Sequence, residues 1–142
     1  MRTFEELKGE TEDTHDDELD RVISWLSRVK SLLKQADGEF LSTALAFGTA
    51  FRRLKKPPGE RTRCRWTDRY LEVLITTPTE RTYPISEKLA KQVFGPVFQE
   101  FHELPIYHVW SLERLRAERE SKSRFWRSLK NEAVLLAGEP LD

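Results

Sequence analysis

The stretch Tyr70-Leu71-Glu72-Val73-Leu74-Ile75-Thr76 decides the fold class. It is rich in aromatic and β-branched residues, and Thr67-Asp68 before it and Thr77-Pro78-Thr79-Glu80 after it are turn-forming. A run of this kind between turn signals reads as a β-strand. Upstream, Arg63-Cys64-Arg65-Trp66 alternates polar and apolar residues as a half-buried strand does. Downstream, residues 81–85 predict a third strand, with Pro84 confining it to an edge or to its own end. The three together predict an antiparallel meander, one face of which must be covered by helices.

Helical patterns lie on both sides. Thr14-x-x-Asp17 has the spacing of an N-terminal cap, and Leu19, Val22, Ile23, Leu26, Val29, Leu32 and Leu33 follow at helical spacing until Asp37-Gly38. A second helix is predicted over 39–55, with Phe40, Ala44, Phe47, Phe51 and Leu54 on one face and Gly48 as an internal weak point. Pro57-Pro58-Gly59 ends it. After the meander, Ser86 is the expected cap of a third helix that Gly95-Pro96 kinks or divides. Residues 104–110 predict a fourth strand or an extended link. Ser111 then caps a last helical region reaching Val134–Leu136, whose polar middle is either an exposed helix or a break at Ser121-Lys122-Ser123. The order α-α-β-β-β-α-(β)-α defines an α+β fold: an N-terminal helical hairpin, a three-stranded meander and C-terminal helices. An acidic N-terminal arm over 1–13, one domain over 14–137 and a tail over 138–142 are expected.

The 142-residue chain has 24 basic and 24 acidic residues and no formal net charge. That neutrality hides segregation. Residues 1–20 carry nine acids against two bases, a net of −7, and residues 52–69 carry eight bases against two acids, a net of +6. Opposite blocks attract each other within one chain or between two copies.

The usual signatures of chemistry are missing from the sequence. No glycine-rich phosphate loop and no Gly-x-Ser-x-Gly elbow occurs. Cys64 is the single cysteine; on a strand it points away from Arg63 and Arg65, as a small core residue would. His102 and His108 lie near Glu100 and Glu103, in a spacing that matches no metal site. No apolar run is long enough to span a membrane, which predicts a cytoplasmic location.

The sequence therefore predicts a non-enzymatic interaction or assembly module without cofactor or metal, acting on a protein partner or on itself through its charge blocks. Nucleic-acid binding, to RNA in particular, is the alternative. A small enzyme with a site assembled from distant residues is third. The candidate binding residues are Arg52, Arg53, Lys55, Lys56, Arg61, Arg63, Arg65 and Arg69, with Lys88 and Lys91 assisting and Phe125-Trp126 as an aromatic anchor. On the last helical region, Glu118–Lys122 and Glu120–Arg124 have the i,i+4 spacing of mutually neutralising pairs. The α-β-β-β-α order over 39–102, with Ser86-x-Lys88-x-x-Lys91 opening its last helix, resembles the double-stranded-RNA-binding domain, and that resemblance implies phosphate contacts from those lysines.

Overall fold

A computed structural model describes residues 1–10, 15–36, 42–62, 69–103 and 106–140. The α+β class is borne out, and a mixed sheet of five strands forms its centre. Strand β1 (Arg2–Thr3) leads into helix α1 (Phe4–Gly9) and then α2 (Asp17–Gln35). Strand β2 (Thr43–Phe47) is followed by the short helix α3 (Thr49–Arg53) and a 3-10 turn at Pro58–Glu60. Strand β3 (Glu72–Thr77), helix α4 (Tyr83–Leu89), a π-helical turn (Ala90–Phe94) and helix α5 (Gly95–Phe101) come next. Strand β4 (Ile106–Ser111), helices α6 (Leu112–Ser121) and α7 (Arg124–Glu132), and strand β5 (Val134–Gly138) complete the chain.

The strands lie in the order β1-β5-β2-β3-β4. β2 is antiparallel to both β3 and β5, whereas β1 runs parallel to β5 and β4 parallel to β3. Alternation along each strand divides the side chains between two cores. Ala44, Ala46, Val73, Ile75, Val134 and Leu136 pack with α1, α2 and the α4–α5 region. Leu45 and Leu74 pack on the other face against Leu115 of α6 and Trp126 and Leu129 of α7. The sheet is thus covered on both sides, which is why its central strands are apolar at successive positions rather than alternating.

Several predicted elements take another form. The helix expected over 39–55 is a strand at Thr43–Phe47 and a one-turn helix at Thr49–Arg53. Its apolar residues suit either period, and pairing on both edges settles the choice. Gly48, read as a helical weak point, is the hinge between the two: its φ is +124°, and a Cβ there would lie 2.6 Å from the Tyr70 carbonyl oxygen. Residues 83–89 are helical, not a strand, and Pro84 sits in the first turn, where a missing N–H costs nothing. Val134–Leu136 is a strand between β1 and β2, not the end of a helix. With β2 in place of a helix and no strand at 81–85, the α-β-β-β-α order of the double-stranded-RNA-binding domain is not formed. The strand expected at 63–66 and the stop at 37–38 lie outside the described residues.

Other expectations hold. Ser111 caps α6, accepting from the Arg114 N–H at 3.2 Å. The π-helical turn before Gly95 divides the third helical region as anticipated. Residues 106–111 form the edge strand β4. The opening of the stretch read as an acidic arm outside the domain instead pairs with β5 at Arg2–Thr3 and buries Phe4 and Leu7 in the core. Among the described residues, no helix is long and apolar enough to cross a membrane.

Candidate functional site

The end of the sheet where β2 stops and β3 begins carries a cleft of about 650 Å³. Its floor follows from register. Phe47 pairs with Glu72, and His108 lies beside Leu74 on the neighbouring strand, so Phe47, Glu72 and His108 share one face. Glu72 is the lone charge in an otherwise apolar and hydroxylated strand, and its side chain is only 7% exposed. It is not left unpaired. The Nε2 of His108 lies 2.9 Å from its Oε1, and the Arg69 Nη1 donates to the same oxygen at 3.1 Å. The His108 side chain is 32% exposed and helps line the cleft.

The Gly48 turn positions the rim. It folds α3 back so that the Thr49 N–H donates to the Arg69 carbonyl at 3.1 Å and the Ala50 N–H to the Tyr70 carbonyl at 2.8 Å. Arg52 and Arg69, on separate segments, thereby reach the same opening. The Arg52 Nε is 3.5 Å from Glu132 Oε1, a loose ion pair across the mouth. A third arginine, Arg114, stacks its guanidinium 3.9 Å from the Trp110 ring centroid. The wall is aromatic: Trp110 and Phe125 lie 5.2 Å apart, and Phe125 meets Phe47 edge-on at 5.8 Å.

The roof is the α6–α7 hairpin, and the predicted break falls within it. Lys122 adopts the left-handed conformation at φ +51°, ending α6. Ser123 then caps α7, accepting from the Trp126 N–H at 3.0 Å, and its hydroxyl donates to Glu118. The continuous helix that would align Glu118 with Lys122 and Glu120 with Arg124 is absent, and neither pair forms a salt bridge. Arg119, Lys122, Arg127 and Lys130 instead surround a shallow hollow over Trp126, with no carboxylate partner among the described residues.

The basic segment divides. Arg52 and Arg69 face the cleft. The Arg61 side chain turns inward: it is 4% exposed, its Nη1 donates to Asp16 Oδ1 at 2.8 Å, and its Nε donates to the carbonyls of Arg53 and Lys56 at and just after the end of α3. The Arg61 guanidinium holds the Asp16 carboxyl below its ordinary pKa, and the carboxylate raises that of Arg61 in return. Asp16, not Thr14, is also the N-cap of α2, accepting from the Leu19 N–H at 3.2 Å. Arg53 pairs with Glu18 at 2.8 Å. The acidic and basic blocks therefore meet within one chain. Lys55 and Lys56 are exposed, and Arg63 and Arg65 lie outside the described residues.

The assisting residues do not converge. Lys88 and Lys91 sit on the α4–π segment, whose Leu89 and Val93 pack on the opposite face of the sheet from the cleft. Trp126 is 6% exposed in the second core and so is no free anchor, while Phe125 is part of the cleft wall. The carboxylates expected near the histidines pair elsewhere, Glu100 with Arg28 and Glu103 with Arg21. Sequence reasoning missed Glu72, Trp110 and Arg114 as site residues. The one available signal was a carboxylate inside YLEVLIT, a strand otherwise suited to burial.

Comparison with protein-family models, with curated proteins and with solved structures found no match.

Proposed function

We propose that the protein binds single-stranded nucleic acid, with phosphates held by Arg52, Arg69 and Arg114 and bases placed against the Trp110–Phe125 wall. The observation that carries this reading is the convergence of three arginines from α3, the β3 approach and α6 on one aromatic-walled cleft. Arginine forks suit phosphate oxygens, and aromatic faces stack bases of any sequence. The sequence offered no aromatic platform beside the basic segment; the fold supplies one from β4 and α7. The unopposed cations around Trp126 extend positive charge over the outer side of the same hairpin. Neutral overall charge is compatible with this role because the acidic N-terminal elements α1 and α2 pack on the opposite face of the sheet.

Assembly through complementary charge blocks is less well supported, because Asp16 and Glu18 already engage Arg61 and Arg53 in the same chain. The test is a fluorescence-anisotropy titration with labelled single-stranded RNA, single-stranded DNA and duplex. Single strands should bind more tightly than duplex, with log K falling linearly against log salt through counterion release, at a slope near −0.7 per neutralised phosphate. Absence of binding at about 50 mM salt rejects the reading.

A further inference from the structure

We infer that His108 is a general base for the 2′-hydroxyl of an RNA strand in the cleft, making the protein a ribonuclease that acts by internal transphosphorylation. The inference rests on the single-strand reading above and adds a reaction to it.

The geometry begins with Glu72. An ionised carboxylate can only accept hydrogen bonds, so Nε2 is the donor across the 2.9 Å contact, and in the neutral imidazole Nδ1 then carries the lone pair. Nδ1 has no hydrogen-bond partner among the described residues. The Phe47 ring stacks on the imidazole, 6.1 Å between centroids at 30°, and restrains its plane. A buried carboxylate behind an imidazole fixes the tautomer and stabilises the imidazolium that forms on proton uptake. Arg69, bonded to the same carboxylate oxygen, fixes Glu72 in turn. His108 is the catalytic residue and Glu72 a positioning residue. Arg52, Arg114 and Glu132 are the other charged residues that line the same cleft.

RNA suits this constellation because it carries its own nucleophile, so the protein must supply only a base and positive charge. O2′ attacks phosphorus as its proton passes to His108 Nδ1; the O2′–P bond forms and the P–O5′ bond breaks. The leaving O5′ takes a proton from water, and the resulting hydroxide removes the proton from the imidazolium. The products are a 2′,3′-cyclic phosphate and a 5′-hydroxyl. The arginines oppose the charge that grows on the phosphoryl oxygens in the transition state.

The experiment incubates the full chain with end-labelled single-stranded RNA in chelator, beside a 2′-O-methyl strand of the same sequence. Cleavage of the RNA to cyclic-phosphate ends, with the 2′-O-methyl strand bound but intact, is expected. His108→Gln should slow cleavage at least about 100-fold, the scale of a missing general base. Its affinity for the 2′-O-methyl strand should stay within about two-fold, so that the defect lies in the chemical step. Glu72→Gln should lower kcat about 10-fold or more with KM little changed. RNA that is bound but uncleaved, or cleaved equally by His108→Gln, overturns the reaction and leaves the binding reading standing. Failure to bind either strand removes both.

Discussion

Asp16 and Glu72 are both buried carboxylates facing an arginine, and they do opposite things. Asp16 is closed in by Arg61, whose side chain is 4% exposed and which also covers the carbonyls at the end of α3. Glu72 faces His108 and Arg69, which are 32% and 67% exposed. The first arrangement joins α2 to the loop after α3 and leaves nothing for a ligand. The second keeps one carboxylate fixed while its partners stand at an open cleft. Burial of the cation, not the local density of positive charge, separates an arginine used for folding from one available to a partner.

The largest effect expected from this contrast is on stability. Arg61→Ala strands a buried carboxylate and should cost about 3–5 kcal/mol, read by urea unfolding. Arg69→Ala removes an exposed cation and leaves Glu72 its His108 partner, so it should cost less than about 1 kcal/mol. Similar costs at the two positions would erase the distinction between them.

On binding the order reverses. Arg52→Ala, Arg69→Ala and Arg114→Ala combined should weaken single-stranded RNA binding at least about 10-fold at low salt. The salt slope should flatten by about 0.7 for each phosphate that the protein no longer neutralises. An unchanged slope would place the phosphates elsewhere. Trp110→Leu should weaken binding by about 1–3 kcal/mol for a stacked base while leaving the slope intact. A changed slope with unchanged low-salt affinity would mean that the ring serves only to support Arg114.

Acid titration sharpens the comparison with a smaller effect. Because Arg61 depresses the Asp16 pKa, the pair's contribution to stability is complete above the unfolded value near 3.9 and disappears as pH falls through the folded value. Stability of the native chain should therefore fall more steeply below about pH 4 than that of Asp16→Asn, followed by circular dichroism in urea. Parallel acid limbs would show that Arg61 does not hold this carboxyl.

The elements most legible in sequence had one period and a clear boundary: α2 with its apolar stripe, β3, and α6 with Ser111 at its head. The hidden ones were set by neighbours distant in sequence. Thr43–Phe47 is apolar at nearly every position, and only its place between β3 and β5 makes it a strand. Val134–Gly138 is short and becomes a strand by the same long-range pairing. The site was legible in half. Arg52 and Arg69 could be named from charge, but Glu72, His108, Trp110 and Arg114 join them only because β4 lies parallel to β3 and α6 follows it. Segregated charge could not reveal which arginines point inward.

The most direct test maps where a strand touches the protein. Ultraviolet crosslinking of single-stranded RNA to the full chain, with the modified peptides sequenced, should place adducts at Trp110 and Phe125. Adducts confined to α4 and the π-helical turn around Lys88 and Lys91, on the opposite face of the sheet, would contradict the assignment of the cleft.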